Sequence, residues 1–231
     1  MKLILGKKLN MSQKYSENGS IVPVTIVKVG KGAVVQVKGV EKHGKNASVQ
    51  LGFKEGSKHV NKAIKGQVKG LVDCPRLIEM QVQDTSVFET GQTFGLDSFS
   101  KGEKVSVSAL SKGRGYQGVV KRHGFHGSKK THGAKHSLRS PGSIGSTDAA
   151  RVFPGKRMAG RMGGTRITVS NLEIVDIDLE NELVMIKGAV PGARNGVVEI
   201  RAEGDLKMET GQKKKEQEKI SIKDEKEEIK K

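Results

Sequence analysis

At 231 residues the chain has the length of one large domain or two small ones. Its formal net charge of +17 implies a polyanionic partner or an anionic membrane surface, and a single cysteine, Cys74, excludes an internal disulfide framework and a four-cysteine zinc site. Aromatic residues make up 3% with no Trp, so a core has to be assembled from Val, Ile and Leu.

The N-terminus, "MKLILGKKLNM", has only Leu3, Ile4 and Leu5 as consecutive apolar residues, too few for a signal peptide. No run approaches the length needed to span a bilayer. A soluble, unexported protein in a reducing compartment is expected, with Cys74 a small half-buried apolar residue.

Short β-branched runs follow: "IVPVTIVKV" (21–29), "AVVQVK" (33–38) and "ASVQLGF" (47–53). Alternation bounded by Gly, Asn, Asp or Lys is a strand signal. "KVGKGAVV" predicts a hairpin turn through Gly30, Lys31 and Gly32. Residues 54–73 predict a short helix with Ala63 and Ile64 on its inner face. "LIEMQV" (77–82) and "KVSVSAL" (104–110) are further strands, and beyond the middle of the chain come "RITVSNLEIVDID" (166–178), "ELVMIKG" (182–188) and "VVEIRA" (197–202), with a tight turn in "DLENEL" (178–183). Many short strands at close spacing indicate a mainly β protein, a sandwich or small barrel.

Between the two groups of strands lies a segment of different chemistry. Residues 111–166 hold 13 basic residues and one acid, Asp148, for a net +12. Residues 1–110 hold 17 basic and 9 acidic residues (net +8), residues 167–204 hold 3 and 7 (net −4), and residues 205–231 hold 9 and 8 (net +1). The simplest arrangement is one β domain, residues 1–110 with 167–204, closed by strands from both flanks. Residues 111–166 are then a long basic extension, mostly irregular, inserted between strands. An excursion of that length without regular structure is functional or disordered. Doubled back, each arm at about 3.3 Å per residue reaches roughly 90 Å at most. Residues 205–231 read as a flexible charged tail, too polar to order itself.

Two motifs in the extension point elsewhere. "GRGYQG" (113–118) matches the dinucleotide fingerprint G-x-G-x-x-G, but "VVKRHGFHG" after it reads as β-like and no acid stands near residue 138. His132 and His136 have the spacing of two zinc ligands on one helical face, yet Gly133 interrupts the stretch, no carboxylate is near and thirteen cations oppose a metal. No nucleophile–base–acid constellation is present, and no cofactor, metal or small-molecule substrate is expected. The segment does suit a nucleic acid. Lys and Arg neutralise phosphates with release of counterions, glycine admits close backbone approach, and His, Phe and Tyr offer faces for bases. "SIG", "RVFPG" and "RMAGRMGGTRI" add scattered apolar anchoring points. Duplex DNA fits less well, because no recognition helix or strand pair is evident.

Blocks along the chain resemble the bacterial large-subunit ribosomal protein L-three family. They are "GKKLNMSQKYSENGSIVPVTIVKV" (6–29), "SKGRGYQGVVKRHGF" (111–125), "THG" (131–133), "RSPGSIG" (139–145), "RVFPGKRMAGRMGG" (151–164) and "IKGAVPGARNG" (186–196). They stand in the family's order, from about residue 3 to 203. The resemblance implies a β-barrel body of the type shared with translation factors, seated near the 3′ end of the large-subunit rRNA. It also implies a basic extension that penetrates this rRNA toward the peptidyl-transferase centre, an early role in assembly, neighbouring ribosomal proteins as partners, no membrane and no catalysis. The location implied is cytoplasmic and ribosome-bound. Asn10 stands where the family often has Gly and is expected to keep a left-handed turn. "STDAARVF" (146–153) lacks the glutamine that some members methylate, and the tail lies outside the resemblance.

On this reading Arg114, Lys121, Arg122, Lys129, Lys130, Lys135, Arg139, Arg151, Lys156, Arg157, Arg161 and Arg166 neutralise rRNA phosphates. Tyr116, His123, Phe125, His126, His132 and His136 stack on or hydrogen-bond to nucleotides, and Gly142, Gly145, Gly160, Gly163 and Gly164 let backbone pass between strands. The extension is expected to take its conformation from RNA. Two other classes stay open, a histidine-ligated metalloenzyme and a general DNA-compacting protein.

Overall fold

Strands with one apolar side and no long helix to cover it bury that side against other strands. The computed structural model describes residues 1–16, 18–39, 46–54, 61–68, 71 and 75–208, and it is mainly β. In chain order the first elements are β1 (Lys2–Tyr15), β2 (Ile21–Val29), β3 (Gly32–Lys38), β4 (Ser48–Lys54), helix α1 (Lys62–Val68), β5 (Pro75–Gln81) and β6 (Thr93–Phe94). There follow β7 (Lys104–Leu110), β8 (Gly115–Gln117), helix α2 (Val119–His123), β9 (Gly160–Met162), β10 (Arg166–Asp178), β11 (Leu183–Lys187) and β12 (Val197–Ala202).

Six strands form a closed barrel in the order β1-β12-β7-β10-β11-β2, and four form a second sheet, β5-β4-β3-β6. The chain divides into two compact units: Met1–Ala109 with Ile167 onward, and Leu110–Arg166. Strands from both flanks of the inserted unit therefore complete one barrel.

One apolar cluster joins barrel and sheet. Leu3, Ile4, Leu5, Val27, Val107, Ile174, Ile186 and Ile200 from the barrel belong to the same cluster as Val49, Leu51, Phe53, Met80 and Phe94 from the sheet. The Phe53 and Phe94 rings meet edge to face, 5.4 Å between centroids at 87°, a geometry that adds about 0.5–1.5 kcal/mol beyond area burial. Gly32 makes the close approach possible, since a Cβ there would lie 2.3 Å from Phe94 and 2.9 Å from Phe53.

Several sequence expectations need correction. β1 is a fourteen-residue strand paired with both β12 and β2, although its polar second half gives no alternation. The turn at Gly30 and Lys31 is not a hairpin, because β2 belongs to the barrel and β3 to the second sheet. In α1 Val68 is buried, Ile64 four residues before it on the same face is half-buried, and Ala63 is exposed, so of the two residues expected inside only Ile64 faces inward. Asn10 sits within β1 at a register shift between Lys8 and Met11, with no left-handed backbone. The bulge meets the loop after β11 instead: Lys8 Nζ donates to the Val190 carbonyl at 2.7 Å, and the Asn195 N–H donates to the Lys8 carbonyl at 2.7 Å. The body extends past residue 204. Leu206 is buried, and the Lys207 N–H donates to Ser98 Oγ at 2.9 Å. Cys74 and the chain from residue 209 lie outside the described residues.

Candidate nucleic-acid interface

Unit Leu110–Arg166 has one buried hydrophobic side chain, Val119. Its shape comes from backbone hydrogen bonds and glycine geometry. At its base the Ser111 N–H donates to the Thr165 carbonyl at 2.9 Å, Gly164 N–H to Ser111 O at 3.2 Å and Arg114 N–H to Met162 O at 2.9 Å. This ladder continues as β8 against β9, with Gly115 opposite Met162, Tyr116 opposite Arg161 and Gln117 opposite Gly160. Gly163 is packed tightly here: its φ is +75° and a Cβ would lie 2.2 Å from the Lys112 carbonyl oxygen. Its smallness serves contact within the protein.

The β-like reading of "VVKRH" is corrected by α2. Gly118 precedes this single helical turn, and Gly124 ends it in the left-handed conformation, donating its N–H to Val119 and Val120 carbonyls. Lys121, Arg122 and His123 fall in the last turn, where cations favour the negative end of the helix dipole. "GRGYQG" thus does precede a helix, but one of five residues.

Arg122 is the only one of the twelve selected cations that is not exposed. Its Nη1 donates to the Met158 carbonyl at 2.6 Å, and the same oxygen lies 3.0 Å from His123 Nε2. Gly160 leaves room for that guanidinium, 2.9 Å from where a Cβ would stand. Arg122, His123 and Gly160 therefore tie α2 to the returning strand, an internal role absent from the sequence reading.

Other residues chosen from sequence do converge outward. Tyr116, 76% exposed, and Arg161 stand directly opposite each other on β8 and β9, so they share one face of the ladder. The His123 and Phe125 rings lie 6.1 Å apart and tilted at 46°. Lys129, Lys130, His132, Lys135 and His136 are exposed on a loop closed by the Ser128 N–H on the Leu138 carbonyl at 3.1 Å. This loop consists of turns and bends, and His132 has a φ of 59°, so the helical zinc spacing does not form. Among the described residues no three of His, Cys, Asp and Glu are grouped to hold a metal.

Arg139, Lys156 and Arg157 are exposed as well, as are Gly142, with a φ of +79°, and Gly145, whereas Gly164 is half-buried beside the Arg161 guanidinium. Arg166 is exposed but engaged in a contact within the protein. Two residues escaped the sequence reading. Lys112 is as exposed as the selected lysines, and Phe153 is 55% exposed with the Arg151 guanidinium 5.8 Å from its ring centroid. Adjacency of Arg and Phe two residues apart was the available signal for the second. Ile144 and Val152 are also exposed, so these apolar residues do not anchor the segment to its own fold.

One acid cannot neutralise thirteen cations, and one buried apolar residue cannot make a core. The segment presents positive charge, ring faces and open glycines together. Residues 80–182, which include this whole unit, match the family model described as ribosomal protein L3. Over this stretch the chain is similar to the ribosomal protein L3 family. Members of the family are structural, rRNA-binding constituents of the large ribosomal subunit and not enzymes. No helix among the described residues is long and apolar enough to cross a membrane.

Proposed function

We propose that this chain is a cytoplasmic, ribosome-bound protein whose inserted unit penetrates large-subunit rRNA toward the peptidyl-transferase centre. Its barrel, of the type shared with translation factors, seats near the 3′ end of the same rRNA and helps nucleate early assembly. The observation that carries this reading is the pairing of properties in Leu110–Arg166: thirteen basic residues against one acid, with Val119 as the sole buried hydrophobic. A segment so built gains its packing from a polyanion that supplies both counter-charge and surface. Exposed Lys and Arg bind phosphates, Tyr116 beside Arg161 and Phe153 beside Arg151 offer stacking faces, and Gly142 and Gly145 permit close backbone approach.

Binding of the full chain to large-subunit rRNA, to its 3′ portion alone and to duplex DNA of equal length tests the proposal. A preference for the 3′ rRNA portion of a hundredfold or more is expected. Equal affinity for duplex DNA would favour a DNA-compacting protein, and stoichiometric zinc in the purified chain would favour a metalloprotein.

A further inference from the structure

The β1–β2 ribbon has a feature that rRNA binding does not account for. β11 pairs with β2 as far as Val24 and the Gly188 N–H donates to the Pro23 carbonyl at 2.8 Å, so beyond Pro23 Lys14 and Tyr15 opposite Val22 and Ile21 stand as two strands alone. Directly opposed residues share a face. One face carries Lys14 and Val22, which line a cleft of the barrel with Lys101, Asp176 and Lys187 and with the edge of Tyr15, and Lys14 is ion-paired to Asp176. The other face carries Met11, Gln13, Tyr15, Ile21 and Pro23. All five are exposed; Tyr15 is 68%, Ile21 56% and Met11 52% accessible.

A two-stranded ribbon is marginal in water unless an apolar face is covered, and this one holds an aromatic, two aliphatics and a proline in the open. Its tip is nevertheless set: Ser16 N–H donates to Ser20 O at 2.8 Å, and Gly19 N–H to Ser16 O at 2.9 Å. Charge decides what covers it. In a chain of 42 Lys and Arg, Lys14 is the only cation from Leu9 to Val27, it projects from the opposite face, and Asp176 already holds it. The two strands place no cation beside Met11, Gln13, Ile21 and Pro23 for a phosphate backbone to meet, whereas an apolar protein surface matches that face.

We infer that the face made by Met11, Gln13, Tyr15, Ile21 and Pro23 docks on an uncharged, apolar patch of a second protein in the large subunit. This rests on the large-subunit reading above and names a surface that reading leaves unassigned.

The test uses large subunits purified from cells that express the full chain with a photoreactive benzophenone amino acid at position 15 or 21. Cross-linking to one protein of the subunit, identified by mass spectrometry, is expected. Met11→Ser with Ile21→Ser should lower the yield from position 15 on the order of a hundredfold, since each of the two apolar side chains removed from a buried contact costs about tenfold in affinity. Both positions are exposed, so an unchanged circular dichroism spectrum accompanies the loss. Cross-links to rRNA alone, or none from a chain present in the subunit, would overturn the docking proposal and leave the large-subunit reading standing. A chain absent from purified subunits would overturn that reading, and this one with it.

Discussion

The barrel body and the inserted unit solve the problem of holding a shape in opposite ways. Among the described residues thirty hydrophobic side chains are buried, and Val119 is the only one of them in Leu110–Arg166. The body excludes water with Leu, Ile, Val and two crossed Phe rings. The inserted unit uses ladder hydrogen bonds at its base, one helical turn and carbonyls that hold Arg122 and His123. Folding and binding are thereby separable: the side chains that stabilise the body are buried in it, and those of the inserted unit that would touch a partner stabilise little.

The largest effect that could break this comparison comes from removing charge. Changing Arg114, Lys121, Arg139, Arg151, Arg157 and Arg161 to Gln together should reduce rRNA affinity about a thousandfold at moderate salt, if these six contact phosphates. The log–log salt slope should fall in magnitude by about 4 to 5. The melting temperature of the body should stay within a few degrees, because none of the six lies in it. A large drop in melting temperature would show that the unit's charges matter to the fold.

Phe94→Ala makes the reciprocal test. Loss of a fully buried ring costs about 3–5 kcal/mol, read as a lower denaturant midpoint. The salt slope of rRNA binding by the folded fraction should not change. A smaller effect is expected from Gly163→Ala, which forces a Cβ against the Lys112 carbonyl at positive φ. The strain is about 1–3 kcal/mol, confined to the ladder at the base of the inserted unit. Slowed hydrogen exchange at Arg114 N–H should be lost there while the barrel stays protected.

How far the sequence disclosed all this follows from where each signal resides. β2, β7, β10 and β12 were legible to the residue because alternating β-branched runs report a strand half-buried on one side. β1 was not, since Leu3 to Leu5 are consecutive buried residues and the remainder is an exposed ribbon, so neither part alternates. The division at residues 110 and 166 was written in charge, which burial does not obscure. Individual roles were less legible. Arg122 and Arg157 are alike in sequence, and only the Met158 carbonyl, thirty-six residues from Arg122, distinguishes an internal tie from an exposed cation. Gly160 and Gly163 looked like places for RNA to approach. They are places where the protein approaches itself, and that depends on contacts no local pattern encodes.

The smallest effect sharpens the comparison through acidity. The body holds its turns partly with carboxylates, whereas the inserted unit has one acid. Asp178 ends β10 and accepts hydrogen bonds from the Asn181 side chain at 2.7 Å and the Asn181 N–H at 3.1 Å. These bonds, the side-chain one first, favour the carboxylate and hold its pKa below the ordinary 3.8. A carboxyl whose pKa is lowered by folding adds stability at pH values above its unfolded pKa, and that contribution fades as pH falls through the folded value. Asp178→Asn should therefore lower the melting temperature slightly at neutral pH, and the difference from the parent should shrink below about pH 4. Because the turn is exposed, the shift should be small and should weaken further in salt. rRNA affinity at neutral pH should not move. A change in affinity of tenfold or more would mean that the turn after β10 is itself part of the surface that the body seats on the rRNA.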